Sequence, residues 1–405
     1  MLLAVCSFVV TVGLVEVALR VLGRPTLKSQ VAAEGETIDL AALNYNDATV
    51  PRREPPGEFR ALSLGDSFAY GIVQPPYTYH SVAAGLVNGA QQEPRVRLIN
   101  LGEPGVSFLE YKRALEFWEG QLEHDAIVVG VYLGNDIVSI AGGYQPAARD
   151  VNGQFAQLPF AIRDGAPRIG ELLHVMPLRI ADYAWAWWRM KTATVQRATT
   201  DQRYNGAVMF LTDFEYVSYM TDELGSFDPE RLDEMRPGYR ALLELLRALS
   251  RRRAAGKPVL LVLSPSRTQI DLGWRAQLGA HVGERMEHLD YTLPGRVVTE
   301  LAGRIDPEIH VVDLLAGMQC SPLAKDSLHY ATDAHWSVEG NAVAGEVVGL
   351  GLARAFFPRA WESLRASPVA ACAFAVPRDP GAPVAPEVVT AYAASLLAEP
   401  AAGDR

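Results

Sequence analysis

The chain has 405 residues and a formal net charge of -10, from 37 basic and 47 acidic side chains. This length exceeds one typical domain and predicts either one large domain with insertions or two smaller ones. The acidic balance argues against a nucleic-acid partner, because such proteins cluster lysine and arginine against phosphates. Of the three cysteines, Cys6 falls in the apolar N-terminal segment. Cys320 and Cys372 are then one possible disulfide in an oxidising compartment.

Residues 1–23 are predicted to form a transmembrane anchor. The segment is apolar or small from residue 2 to residue 22 with four exceptions: Ser7, Thr11, Glu16 and Arg20. About 20 such residues span a bilayer. No basic region precedes the segment and no convincing small-residue cleavage site follows it, which disfavours a cleaved signal peptide.

The orientation of this anchor stays open at the level of sequence. Arg20, Arg24 and Lys28 lie at or just after its end, and the positive-inside rule would place the rest of the chain in the cytoplasm. We favour the opposite arrangement, in which the body of the chain is extracytoplasmic, in a bacterial cell envelope, because of the motifs that follow the anchor.

The body of the chain is predicted to be an α/β three-layer sandwich with a mainly parallel, flavodoxin-like sheet. Residues 24–57 are polar and rich in proline towards their end, which is typical of an irregular linker. The predicted strands are short apolar runs separated by helix-length stretches: Phe59–Leu64, Val96–Leu101, Ala126–Leu133, Pro258–Leu263 and Ile309–Leu314. Runs that are apolar almost throughout indicate parallel strands covered on both faces.

Two segments interrupt or follow this pattern within the predicted domain, residues 58–357. An insertion is expected over about residues 142–237, where the strand pattern lapses for too long to be an ordinary loop. Its aromatic residues, Trp185, Trp187 and Trp188 among them, favour a small hydrophobic core for the insertion over a lid or a sugar-stacking surface. Residues 358–405 are rich in alanine and proline and predict a loosely packed tail with one short helix, near residues 386–397.

The first chemical signal is a Gly65-Asp66-Ser67 turn between a predicted strand and a predicted helix. Open α/β sheets form their active crevice at the carboxyl ends of strands, and the start of the next helix directs N–H groups at negative charge. The same three residues also occur as an ordinary turn in which Asp66 or Ser67 caps the helix.

The second signal is Asp333-Ala334-His335-Trp336, followed by Ser337 as a candidate helix N-cap. In an extended loop, residues two apart point to the same side, so the carboxylate of Asp333 and the imidazole of His335 can hydrogen-bond and face one partner. The alternative for an isolated Asp-x-His pair is a surface turn.

Four sequence blocks together resemble the SGNH/GDSL hydrolase superfamily. In chain order they are Gly65-Asp66-Ser67, Asn100-Leu101-Gly102-Glu103-Pro104-Gly105, Gly134-Asn135-Asp136 and Asp333-Ala334-His335-Trp336. The resemblance covers roughly residues 59–140 and 255–352. It implies that Ser67 is the nucleophile, His335 the general base and Asp333 its orienting acid. It also implies an oxyanion hole made of the N–H groups of Ser67 and Gly105 and the side chain of Asn135.

The sequence departs from this pattern in the spacing of its last block. Many members of the superfamily place the aspartate three residues before the histidine, a position that Thr332 occupies here. The spacing of Asp333 is instead similar to that of the alginate O-acetyltransferase-like branch, which modifies cell-envelope polysaccharides. The chain order differs from that branch, because Ser67 precedes Asp333 and His335.

No metal or cofactor is expected. The remaining histidines show no paired ligand spacing, and no phosphate-cradling glycine loop is present. His329, six residues before His335, is either an ordinary loop histidine or a residue that lines the pocket.

The sequence therefore predicts a membrane-anchored, serine-dependent carboxylic ester hydrolase that acts through an acyl-enzyme on an acylated small molecule, glycan or lipid. Water and a sugar hydroxyl can both attack an acyl-enzyme, so an O-acyltransferase that modifies an envelope or exopolysaccharide is the first alternative. A non-catalytic carbohydrate-binding protein on the same fold is the second. The sequence carries no signal for the oligomeric state.

Overall fold

A computed structural model describes residues 35–141, 201–205, 208–209, 213–330 and 333–399, with Thr11, Val31 and Gln196–Arg197 as isolated positions. The predicted anchor, Thr11 excepted, lies outside the described residues, and so do Thr332 and the tryptophans of the insertion. Within the described part of the chain, no helix combines the length and apolar character needed to cross a bilayer.

The strands of this part of the chain are β1 (Thr37–Asp39), β2 (Thr49–Pro51), β3 (Glu58–Gly65), β4 (Arg95–Gly102), β5 (Ala126–Tyr132), β6 (Gln196–Arg197), β7 (Val208–Met209), β8 (Val259–Ser264) and β9 (His310–Asp313). The helices are α1 (Ser67–Tyr70), α2 (Tyr79–Ala90), α3 (Phe108–Trp118), α4 (Asp136–Ala141), α5 (Asp213–Glu223), α6 (Arg236–Ala254), α7 (Arg267–Ile270), α8 (Leu272–Val282), α9 (Leu293–Ile305), α10 (Leu315–Cys320), α11 (Val338–Phe356), α12 (Pro358–Leu364), α13 (Pro368–Ala373) and α14 (Pro386–Leu397).

Five strands form one sheet in the order β4-β3-β5-β8-β9, and every pairing between them is parallel. Numbered along the chain, this is the 2-1-3-4-5 order of flavodoxin-like sheets. Each of the five apolar runs predicted to be a strand overlaps one of these strands. The prediction of an α/β fold with a mainly parallel sheet is therefore confirmed.

Two hydrophobic clusters cover opposite faces of the sheet, because successive side chains of a strand point to opposite sides. On β5, Ile127 and Val129 belong to one cluster, which also contains the buried faces of α3, α6 and α9. Val128, between them, belongs to the other, together with α2 and α11. Helices on both faces explain why these strands are apolar throughout.

The predicted linker, residues 24–57, differs from the expectation in its described part. β1 and β2 pair as an antiparallel ribbon, and Ile38, Leu40 and Val50 are fully buried in the core beside α3. These apolar residues alternate with polar ones, and burying them stabilises the ribbon against the domain. From residue 35 onward the segment is thus part of the folded body.

The C-terminal segment also differs from the loosely packed tail that its composition predicts. It forms α12, α13 and α14, and Tyr392, Ala393 and Leu396 of α14 are buried in the core. Cys320 at the end of α10 is disulfide-bonded to Cys372 in α13, with their Cα atoms 5.8 Å apart. Alanine is small and a good helix former, so an alanine-rich segment can pack closely.

Candidate functional site

The four sequence blocks lie at the carboxyl edge of the sheet or in the loop that packs on it. Ser67 follows β3, Gly105 follows β4 and Asn135 follows β5, whereas His335 lies in the loop before α11. Because parallel strands all end at the same edge, blocks that are distant in sequence converge there.

Ser67 is the first residue of α1, and Asp66 is the N-cap of that helix. A carboxylate oxygen of Asp66 accepts a hydrogen bond from the Phe68 N–H at 2.9 Å. The capping role that the sequence left open for Asp66 is therefore real. Burial raises the pKa of Asp66 to about 6, against the lowering influence of that hydrogen bond and of nearby His335. Within the described residues, the Ser67 hydroxyl makes no hydrogen bond.

The turn that carries Ser67 is held both by the predicted linker and by the block that begins at Asn100. The Asn46 amide, in the segment predicted to be a linker, donates to the carbonyls of Tyr70 and Val73, both at 2.8 Å. The Asn100 amide donates to the same Tyr70 carbonyl at 3.1 Å. At Gly102, a Cβ atom would lie 2.3 Å from the Tyr70 backbone nitrogen, so only glycine fits where β4 meets α1.

Asp333 and His335 form a hydrogen-bonded pair. Nδ1 of His335 donates to Asp333 Oδ1, and the His335 backbone N–H donates to the same oxygen at 2.9 Å. The Asp333 side chain is 5% exposed and that of His335 is 25% exposed. Because a carboxylate only accepts, this arrangement puts the ring proton on Nδ1 and leaves Nε2 with a free lone pair.

The pKa of His335 is raised above the usual histidine value. Burial alone would lower this pKa, but the negative charge and hydrogen bond of Asp333, with smaller effects from Asp66 and Glu223, outweigh it. Ser337 caps α11 as predicted, because its hydroxyl accepts from the Gly340 N–H at 3.0 Å.

An aromatic cluster joins the histidine loop to the serine turn. The Phe68 ring stacks on Tyr132, with centroids 3.8 Å apart, and meets the edge of Trp336 at 5.1 Å. The His335 ring centroid lies 5.2 Å from that of Phe68. Among the described residues, no hydrogen bond joins Ser67 to His335. Bonds of this kind are often long without substrate and tighten in the reacting complex.

The remaining two predicted site residues lie in the loops that follow β4 and β5. Gly105 is exposed and has a φ of 76°, in the left-handed region that favours glycine. The side-chain amide of Asn135 donates to the Tyr219 hydroxyl at 3.0 Å. One N–H of this amide therefore donates to Tyr219, and the second can donate to another group.

Sequence reasoning missed Tyr219 and Glu223, which α5 contributes from the predicted insertion. Glu223 is 1% exposed and accepts a hydrogen bond from the Tyr132 hydroxyl at 2.7 Å. Burial raises the pKa of Glu223 to about 7, although hydrogen-bonding neighbours lower it in part. The only signal in the sequence is the four-residue spacing of Tyr219 and Glu223, which places both on one helix face.

Asp136 fixes the turn that carries Asn135. Its carboxylate accepts from the Tyr111 hydroxyl and from the Tyr132 backbone N–H, both at 2.9 Å. Burial, with the nearby negative charge of Asp66, raises the pKa of Asp136 well above its usual range. The block Gly134-Asn135-Asp136 is thus held in place by Asp136. The orientation of the Asn135 side chain depends on its hydrogen bond to Tyr219.

Two further groups lie close to the histidine loop. His329 is buried and makes no side-chain hydrogen bond within the described part of the chain, and burial with the charges of Arg267 and His335 holds its pKa well below the usual value. Arg267, the first residue of α7, donates to the Tyr216 hydroxyl at 3.1 Å and lies over the Trp274 ring at 4.8 Å. His329 pairs with Trp336 through an isolated β-bridge, so it lies next to the histidine loop, and its lining of a substrate pocket stays a prediction.

A group with metal-ligand character lies elsewhere among the described residues. Ligand atoms of Asp228, Glu230 and His288 lie within 4.8 Å of one another. The Asp228 carboxylate caps a short helical turn by accepting from the Glu230 N–H at 2.9 Å, which accounts for the proximity of the two acidic residues. Such exposed acidic groups are common on surfaces and do not indicate an ion.

No family model and no curated protein matches the chain. Among solved structures, it is similar to an alpha/beta hydrolase enzyme from the metagenome of Lake Arreo, Spain, with 13% identity over 73% of this chain and 94% of that one, at a TM-score of 0.34. An acetylxylan esterase from Geobacillus stearothermophilus is 15% identical over 75% of this chain and 94% of its own, at a TM-score of 0.33. A lipase from a goat rumen metagenome is 13% identical over 74% of this chain and 98% of its own, at a TM-score of 0.34. With TM-scores this low, the likeness alone establishes neither fold nor activity.

Proposed function

We propose that the chain is a serine-dependent carboxylic ester hydrolase of the SGNH/GDSL type. The observation that carries the proposal is the Asp333–His335 pair, whose imidazole packs against Phe68, the residue next to Ser67. A serine hydroxyl is a weak nucleophile until a base takes its proton, and histidine is the side chain that titrates near neutral pH.

In the proposed reaction, the Ser67 hydroxyl attacks the acyl carbonyl while Nε2 of His335 takes its proton. Asp333 stabilises the imidazolium that forms. The N–H groups of Ser67 and Gly105 and the Asn135 amide donate to the developing oxyanion, and each such donor is worth about 2.7 to 4 kcal/mol of barrier. His335 then gives its proton to the departing alcohol, and water releases the acyl group by the reverse sequence of proton transfers.

We further propose that the catalytic domain lies outside the cytoplasm, tethered by residues 1–23, and acts on an acylated glycan or lipid of the cell envelope. The Cys320–Cys372 disulfide supports this location, because disulfides persist in oxidising compartments and are rare in the cytosol. The segment predicted to be an anchor supports a membrane tether.

An O-acyltransferase is a second candidate, favoured by the Asp-x-His-Trp spacing of Asp333, His335 and Trp336. Trp336 is buried against Phe68 and helps to hold the histidine loop in place. A transferase differs from a hydrolase in the nucleophile that attacks the acyl-enzyme, so the same side chains serve both reactions.

The test of the proposed function is hydrolysis of p-nitrophenyl acetate by the purified chain, with and without oligosaccharide acceptors. We expect nitrophenol release in the absence of acceptor and loss of that release in Ser67→Ala. Ser363→Ala, an exposed serine on α12, is the matched control and should retain full activity. Acetylated oligosaccharide as the main product would favour the transferase. Equal activity of folded Ser67→Ala and wild type would refute both.

A further inference from the structure

A chain of polar side chains leads from the predicted insertion to Asn135. The Asn135 amide donates to the Tyr219 hydroxyl at 3.0 Å, and Tyr219 lies close enough to Glu223 to feel its negative charge. The Tyr132 hydroxyl donates to Glu223 at 2.7 Å. Tyr219 and Glu223 both belong to α5, whereas Asn135 and Tyr132 flank the carboxyl end of β5.

We propose that Tyr219 and Glu223 are positioning residues that set the direction of the Asn135 amide, so that the amide presents N–H groups to the reacting carbonyl oxygen. This inference rests on the proposed function, since it assigns a role to Asn135 as an oxyanion donor. It also gives the insertion a role in the reaction that could not be predicted from its sequence.

The physical reason is the polarity of the hydrogen bonds. In its ionised form Glu223 only accepts, so its nearby negative charge attracts the hydroxyl hydrogen of Tyr219 and leaves the Tyr219 oxygen to accept from Asn135. Asn135 must therefore turn its NH2 group, rather than its carbonyl oxygen, towards Tyr219. The NH2 group has a second hydrogen, which remains for the substrate oxygen.

An asparagine amide without such a constraint can turn over, because its oxygen and nitrogen are nearly the same size. In the reversed orientation the carbonyl oxygen would face the developing negative charge and repel it. Asp136 fixes the backbone of this turn, and among the described residues its carboxylate makes no hydrogen bond to the Asn135 side chain. The direction of the amide therefore depends on Tyr219.

The burial of Glu223 fits this role. The residue is 1% exposed, and its Oε2 atom has no hydrogen-bond partner among the described residues. A buried carboxylate with an unpaired oxygen destabilises a protein, and such groups are typical of functional sites. The alternative is a purely structural role, in which Glu223 only holds α5 to β5 through Tyr132. The test must distinguish this role from the positioning of Asn135.

The test is a double-mutant cycle on the full chain with Tyr219→Phe, Asn135→Ala and the double variant. We expect Asn135→Ala to lower kcat about 10²- to 10³-fold. Tyr219→Phe should lower kcat at least about tenfold with KM unchanged, because the lost interaction acts in the transition state. In the Asn135→Ala background, the same Tyr219→Phe change should alter kcat less than about twofold.

Glu223→Gln tests the polarity argument. Glutamine has nearly the same shape, but its amide can donate to Tyr219 and so allows Asn135 to turn over. We expect kcat to fall about as far as in Tyr219→Phe. Tyr239→Phe is the matched control, because it removes a buried tyrosine hydroxyl that has no hydrogen-bond partner among the described residues. It should leave kcat unchanged.

Equal loss of kcat on Tyr219→Phe in both backgrounds would overturn the inference, as would wild-type kcat in folded Glu223→Gln. Ser67→Ala, measured in the same series, keeps the two proposals apart. Ser67-dependent activity without coupling between Tyr219 and Asn135 overturns the positioning role alone. Activity that survives Ser67→Ala overturns the proposed function and the positioning role with it.

Discussion

Replacing Asp333 with asparagine separates the charge of this side chain from its shape. The carboxylate accepts from both the backbone N–H and the Nδ1 atom of His335. Asparagine keeps an oxygen that can accept one of these bonds, so we expect Asp333→Asn to fold. Its amide can also donate to Nδ1, which moves the ring proton to Nε2, the atom that accepts the proton of Ser67 in the proposed reaction.

The expected effect on activity is much larger than the effect on stability. Loss of the orienting carboxylate in a serine triad lowers kcat about 10⁴-fold, or about 5 kcal/mol at about 1.4 kcal/mol per factor of ten. The free energy of unfolding should fall by about 1.5 to 3 kcal/mol, the contribution of a hydrogen bond to a charged group. The measurements are p-nitrophenyl acetate turnover and urea unfolding of the same preparations.

Asp326→Asn is the matched control, because Asp326 is exposed and lies seven residues before Asp333. It should retain both activity and stability. A folded Asp333→Asn variant that keeps more than about a tenth of the wild-type kcat would refute the reasoning, since the carboxylate would then not orient the base.

Three further predictions concern pH, the disulfide and the anchor. Because the pKa of His335 is raised and the base must be neutral, kcat/KM should rise with pH through a value above about 6.5. The raised pKa of His335 also stabilises the fold below about pH 6.5. Unfolding measured at several pH values should show this stabilisation being lost as the pH rises through the pKa of His335 in the folded protein. Reduction of Cys320–Cys372, which are 52 residues apart, should lower the free energy of unfolding by up to about 4 kcal/mol; a Cys320→Ser/Cys372→Ser variant should not respond to reductant. Deleting residues 1–24 should move ester hydrolysis from the membrane fraction to the soluble one, whereas activity that stays with membranes would argue against the anchor.

The sheet could be predicted because its strands are buried on both faces. Such strands are apolar at every position, so β5 and β8 stand out from the helices around them. The ribbon of β1 and β2 was missed because its buried residues, Ile38 and Val50, stand singly among polar ones. Short strands of this kind depend on tertiary packing rather than on a local pattern.

The candidate site could be predicted only where a residue follows a strand or forms a local pair. Asp333 and His335 are two residues apart, so their contact is encoded locally. Tyr219 is 84 residues from Asn135, and nothing near either residue encodes that contact. The sequence around Glu223 likewise predicts an ordinary acidic residue on a helix, because its burial depends on the tertiary fold.

The measurement that tests the central claim most directly is labelling of the full chain with a fluorophosphonate, followed by identification of the modified residue. A serine activated by a base beside oxyanion donors reacts with such probes at its hydroxyl. We predict a single modification at Ser67, which is lost in Ser67→Ala and much slower in His335→Ala. A folded protein that is labelled at another residue, or at none, would contradict the proposed role of Ser67.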